Sequence, residues 1–194
     1  YEAFEEALGE LRAEDWLTFR AKTYRFEDLL KEWEEKMGAE LDADGIVPAF
    51  LAKRFAEWRE VAPLFKFVRG EGFLPEHWNE LFRFLDIEKG MTSDKLTFGH
   101  ILDKAANITK NESDLKGLHG RAQGEVQIRD ALQELRTWSM EQCFTLVTPS
   151  DGSGNAPRVM LISEWKDVMT QVSDHQALLT SLKDSTYFPR FADE

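Results

Sequence analysis

Only one cysteine, Cys143, occurs in 194 residues. That excludes an internal disulfide framework and suits a reducing compartment, with Cys143 itself read as a small buried hydrophobe. Basic residues are scarce beside acidic ones: 24 Lys and Arg against 36 Asp and Glu leave a formal charge of −12. Binding to phosphates by counterion release needs clustered Lys and Arg, so nucleic acid and anionic membrane are excluded as partners. No stretch approaches the ~20 consecutive apolar residues of a membrane span. The opening Tyr1-Glu-Ala-Phe-Glu-Glu has no initiator Met and no basic region, so it reads as no signal peptide and as part of something longer. A phosphate-binding loop is also missing, because no Gly-Lys pair followed by Ser or Thr exists.

What is present is material for a core: 42% of the residues are hydrophobic, enough to rule out disorder across most of the chain. In the first 37 residues Phe4, Leu8, Leu11, Trp16, Phe19, Phe26, Leu29, Leu30, Trp33 and Met37 recur at the spacing of one or two amphipathic helices, with Gly38 as a stop. Residues 1–40 carry 12 acids and 6 bases, half of the net charge, which is the pattern of a solvated helix face. Asp44-Gly45-Ile46-Val47-Pro48 predicts a turn and a helix start. The stripe Phe50/Leu51, Phe55, Trp58, Ala62, Phe65 continues as a helix that Pro63 should kink or divide.

After the short joint Gly70-Glu71-Gly72, Pro75 begins a helix with Trp78, Leu81, Phe82 and Leu85 on one face. A loop follows at 88–93, and Thr97 is placed to cap a short helix containing Ile101 and Leu102. Leu115, Leu118, Ala122, Glu125 or Val126, Ile128, Leu132 and Leu135 mark a long helix to Trp138. Gly117, Gly120 and Gly124 lie inside it at up to ~1 kcal/mol each relative to alanine, which predicts close packing against a neighbour or a late helix start. Two β-prone runs, Cys143–Thr148 and Arg158–Ile162, flank a glycine-rich turn and predict a hairpin near 143–162. A last helix should carry Trp165, Val168, Val172, Leu179 and Leu182 as its stripe.

None of these residues assembles a catalytic pattern. Glu40-Leu-Asp42-Ala-Asp44-Gly45 imitates the front of a calcium loop, but the twelfth position is Leu51 and the ninth Pro48, where a bidentate Glu and another oxygen ligand are needed. His77, His100, His119 and His175 are dispersed and lack zinc-protease spacing, so His77 beside Trp78 is read as a cap or packing residue. Asp151-Gly-Ser-Gly does not make a nucleophile elbow. Metal ligands, cofactor-binding residues and catalytic residues are therefore all expected to be absent from this segment.

The order Leu74-x-x-His77-Trp78, Leu96-Thr97-x-Gly99, then Ala122-x-x-Glu125-x-x-Ile128-x-x-Ala131-Leu132-x-x-Leu135-x-x-Trp138, a hairpin, and Leu182-Lys183-x-Ser185-x-Tyr187 resembles the N-terminal linker region of dynein heavy chains. Arg121-Ala-Gln-Gly-Glu-Val-x-Ile-Arg, Trp165-Lys-Asp and Ser181-Leu-Lys-Asp-Ser most resemble its second cytoplasmic, intraflagellar-transport branch. The resemblance covers roughly residues 70–191. It departs at Ser185-Thr186-Tyr187, where the family often has Ser-Pro-Tyr and this chain places its proline at 189.

The resemblance implies a mainly α fold, an elongated helical bundle with one small β-hairpin, divided into a helical end of the tail (1–70) and the N-terminal part of the linker (71–194). It implies a non-catalytic mechanical element that couples an ATPase ring to a cargo-bearing tail in retrograde intraflagellar transport, with bending confined to joints such as Gly70–Gly72 or the loop at 88–93. ATP and Mg would belong to the ring of the parent motor. Expected partners are the remainder of the heavy chain, then a second heavy chain and accessory chains, on microtubules in the cytoplasm and cilium. The alternative reading is a stand-alone helical scaffold or adaptor that binds a protein partner through its acidic N-terminal helices.

Overall fold

The computed structural model describes residues 2–38, 45–148 and 160–193. The calcium-loop-like residues 40–44 and the hairpin tip at 149–157 lie outside them. The described residues are mainly helical, as expected, and fall into two compact units, Tyr1–Gln123 and Gly124–Glu194.

The first unit contains α1 (Glu2–Ala13), α2 (Trp16–Phe19), α3 (Tyr24–Met37), α4 (Ile46–Val61), α5 (Phe65–Val68), α6 (Pro75–Leu85), α7 (Phe98–Asp103), α8 (Ala105–Lys110) and the beginning of α9 (Glu112–Glu141). The N-terminal stripe is thus three helices where one or two were expected. The break comes at Glu14-Asp15, where the Asp15 carboxylate accepts from the Thr18 N–H at 2.9 Å and starts a new helix. Gly38, at φ +36°, ends α3 as predicted. Pro63 divides the next stripe: α4 stops at Val61, a 3-10 turn spans Ala62–Leu64, and α5 begins at Phe65. Phe50, included in that stripe, is about half exposed, and its neighbour Leu51 takes the inward place.

Rings fill the centre of this unit. Phe98 is fully buried and lies 4.3 Å from Phe19, 5.1 Å from Phe26, 5.6 Å from Phe65 and, stacked, 6.2 Å from Trp16. A second group joins Phe4, Trp33, Phe55 and Trp58, and Phe26 meets Trp58 to link the two. Each edge or offset contact adds about 0.5–1.5 kcal/mol to the burial of the rings themselves. The rings come from both sides of residue 70, so the first unit folds around one core.

The second unit contains the rest of α9, then β1 (Thr145–Val147), β2 (Leu161–Ser163) and α10 (Trp165–Lys183), followed by a 3-10 turn at Phe188–Arg190. The strands pair antiparallel, with Leu146 opposite Ile162. Two sequence expectations change here. Cys143 is exposed, because it lies in the open segment between α9 and β1. The α10 stripe is patterned but not buried: Val168, Val172 and Leu182 are half-buried, while Trp165 and Leu179 are exposed.

Replacing Phe98 by Ala removes the ring on which the others converge, and should destabilise the first unit by about 3–5 kcal/mol. The midpoint of urea unfolding followed by tryptophan fluorescence checks this. An unchanged midpoint would place Phe98 outside the cooperative core.

Candidate functional site

The residues singled out in the sequence fall into three local structures. The first is a pair of helix starts built alike. At α6 the Leu74 N–H donates to Nδ1 of His77, and at α7 the Thr97 N–H donates to Nδ1 of His100, both at 3.1 Å. In each, histidine occupies the third helical position, where Glu or Gln normally reaches back to the N-cap. Thr97 completes the exchange by accepting from the His100 N–H at 3.4 Å. His77 is fully buried and Trp78 nearly so, with the indole packed on Phe73 and Phe82. The far end of α6 is closed from α8 and the residue that follows it: side-chain amides of Asn107 and Asn111 donate to the carbonyls of Leu85 and Phe84, both at 2.8 Å. Those asparagines were not singled out, because an asparagine inside a helical stretch gives no sign of which distant carbonyl it will meet.

The second structure is a crossing. Leu96, fully buried, accepts from the Trp16 N–H at 2.7 Å, and the Phe98 N–H donates to the Glu14 carbonyl at 2.9 Å, so Asp15 and Thr97 pair as an antiparallel bridge. Gly99 then faces α1 at close range. A Cβ on it would stand 2.9 Å from the Arg12 carbonyl oxygen and 3.3 Å from the Arg12 Cβ, inside ordinary contact. Arg12 also reaches over α7 to grip both carboxylate oxygens of Asp103, at 2.7 and 2.8 Å.

The third lies in the second unit, where α9 meets the segment after α10. Glu125 is buried and its carboxylate pairs with Arg190 at 3.0 Å. The Tyr187 ring crowds Gly124 with its Cδ2 and Cε2 atoms, so that any Cβ there would overlap it. Ser185 Oγ accepts from the Tyr187 N–H at 3.3 Å and shapes that turn. Ile128 is buried; further along, Leu132, Leu135 and Trp138 line a groove of about 350 Å³ with Val172, His175 and Leu179. The Trp138 indole donates to Gln171 at 2.8 Å across it. Leu182 is half-buried and Lys183 exposed at the end of α10.

The arrangement is that of caps, crossings and packed rings. His77 and His100 each serve a helix start, His175 lines the groove, and each glycine of the resemblance that is tightly packed serves a close approach.

The dynein heavy chain N-terminal region 2 family matches residues 1–194, the whole chain. The chain belongs to the dynein heavy chain family. It is 43% identical to cytoplasmic dynein 2 heavy chain 1 of Tripneustes gratilla and 41% identical to that of Homo sapiens, in each case over all of this chain and 4% of the relative. Identity to the Chlamydomonas reinhardtii protein of the same name is 34%, over all of this chain and 5% of that relative. The dynein segment thus spans about one twenty-fifth of the length of the first curated relatives it matches.

Within this dynein segment the three glycines of α9 have different surroundings. Nothing lies within 4 Å of a Cβ placed on Gly117 or Gly120, against the expectation of close packing, whereas Gly124 is filled by Tyr187. Gly117→Ala and Gly120→Ala should each stabilise the helix by roughly 0.5–1 kcal/mol. Gly124→Ala should destabilise it by roughly 1–3 kcal/mol through overpacking, and Tyr187→Ala should relieve most of that loss in the double variant. Thermal unfolding of the four proteins checks the order; a Gly124→Ala variant as stable as Gly117→Ala would remove Tyr187 from this contact.

Proposed function

We propose that this chain is the tail-to-linker junction of a cytoplasmic dynein 2 heavy chain, a non-catalytic element that carries force between an ATPase ring and a cargo-bearing tail. The observation that carries the reading is identity of 40–43% over the whole chain to relatives named cytoplasmic dynein 2 heavy chain 1 in urchin, human and nematode. The motifs quoted from residues 74–78, 96–99, 121–138 and 182–187 support it from within the sequence. Residues 1–70 are assigned to the end of the tail and 71–194 to the beginning of the linker. Because core packing runs across residue 70, that boundary separates regions of the parent protein and not folding units.

In this reading the nucleotide and Mg sites belong to the ring, and the absence of a Gly-Lys-Ser/Thr loop from these 194 residues agrees with that. His77, Trp78, Leu96, Gly99, Glu125, Ile128, Leu132, Leu135, Trp138, Leu182, Lys183, Ser185 and Tyr187 have structural duties: they keep the helices stiff and fixed in register. A 30-residue helix such as α9 spans about 45 Å at 1.5 Å per residue and holds its length, as a force-transmitting element must. The partners are the remainder of the heavy chain, a second heavy chain and accessory chains. The setting is retrograde transport along microtubules of the cilium.

The experiment is a heavy chain in which a flexible Gly-Ser insert interrupts α9 after Gln133, an exposed position well inside the helix. Microtubule-stimulated ATP turnover should persist while microtubule gliding slows severalfold, since chemistry and force transmission are then uncoupled. Unchanged gliding overturns the mechanical reading. ATP turnover by residues 1–194 alone overturns the non-catalytic one.

A further inference from the structure

Gly70-Glu71-Gly72 has the sequence of a flexible joint, and both glycines adopt the left-handed backbone, at φ +69° and +72°. The backbone carbonyls around them are nevertheless engaged. Four consecutive carbonyls each accept a hydrogen bond. Val68 accepts from the Trp16 indole N–H at 3.1 Å, Arg69 from the Arg20 guanidinium at 2.9 Å, Gly70 from the Phe73 N–H at 3.2 Å, and Glu71 from the Gln123 side-chain amide at 3.0 Å. Three of these donors are side chains some fifty residues away in sequence, from α2, from the turn after it, and from α9. The Arg69 side chain returns the connection by donating to Thr23 Oγ1 at 3.3 Å.

Space is as constrained as hydrogen bonding. The Trp78 ring lies against Gly70 so closely that a Cβ there would overlap it. Trp16 and Val68 are wholly buried, so their bond is made away from water, where a lost partner is not replaced by solvent. A hinge is a few residues that absorb a large change of φ and ψ, and its backbone polar groups must find partners in both states. Here any such change would strip carbonyls of donors fixed by three different elements.

We propose that residues 68–73 form a clamp and not a hinge. The two glycines are required for their left-handed backbone and for the room that Trp78 occupies, and residues 2–38 and 75–123 move as one body. The bending expected of a force-transmitting heavy chain then falls outside this joint. The proposal goes beyond the functional reading above and stands or fails independently of whether the chain carries load.

Hydrogen exchange measured by mass spectrometry on the heavy chain, read on peptides covering 69–74, tests it. In the unmodified protein the Phe73 and Leu74 amides within these peptides, which donate to the Gly70 carbonyl and to His77 Nδ1, should exchange on the slow scale of α6 and not on that of the exposed Lys89-Gly90 turn. Arg20→Ala and Gln123→Ala should each speed exchange at 69–74 by about tenfold, as expected for one hydrogen bond lost, while peptides from α1 and α3 stay unchanged and report an intact fold. Gly70→Ala separates the two ideas most sharply. A hinge would be stiffened by alanine and its exchange slowed, whereas a clamp whose ring contact is broken opens and exchanges faster. Fast exchange of the Phe73 and Leu74 amides in the unmodified protein, or slower exchange of them in Gly70→Ala, overturns the proposal. Microtubule gliding by the assembled motor tests the mechanical reading separately.

Discussion

The antiparallel crossing of Glu14–Trp16 with Leu96–Phe98 is the constraint on which the first unit depends. Its two backbone bonds fix the register of segments eighty residues apart, and that register delivers Trp16 and Phe98 to one aromatic cluster as a stacked pair. Leaving either donor unpaired inside the fold would cost about 1–3 kcal/mol, more than the bond contributes in net terms. The Arg12–Asp103 pair beside it has excellent geometry but is partly exposed on both sides, and such pairs contribute about 0–1 kcal/mol. Register and ring burial therefore decide this crossing, with the ion pair as a rim. Gly99 belongs to the same device, since only a residue without a side chain lets α7 come this near to the Arg12 backbone.

Histidine at the third position of α6 and α7 follows from where those helices begin. A Glu there would make the same reach to the N-cap N–H but carry a carboxylate charge. His77 lies fully buried, and its Nδ1 accepts the Leu74 N–H at the place where that carboxylate would have reached. At the other end of α6 the two asparagine amides meet carbonyls that the helix cannot satisfy itself. Both ends of the helix that carries Trp78 are thus held by side chains that meet its free backbone groups.

The local part of this was legible in the sequence. Helix spacing, the Pro63 break, the Thr97 cap, the Gly38 stop and the hairpin depend on a few neighbouring residues, and each is where the pattern placed it. The division of the N-terminal stripe at Asp15 was missed although a carboxylate before Trp-Leu-Thr is a cap signal, because the apolar spacing ran through it. The long-range part was not legible. Nothing in Arg20, Gln123 or Asn111 says which carbonyl it will meet, and the three glycines of α9 look alike until Tyr187 is seen against only the last of them. A glycine's role depends on its surroundings, which sequence spacing does not report.

The two units also show what an apolar stripe does and does not specify. In the first, the stripes of α1, α3, α4 and α6 are closed by one another and by rings of the same unit. In the second, α10 is patterned for burial and yet contains no buried residue, and the large apolar side chains of Leu146, Val147, Leu161 and Ile162 on the two strands stay open to solvent. A two-stranded hairpin is at best marginally stable in water by itself and gains stability from what packs on it. The stripe therefore states which face favours apolar contact, and the energy of that contact is set by whatever completes it. The sequence rule that equates periodicity with core holds where the first unit closes on itself, and in the second unit it identifies a face without identifying its cover.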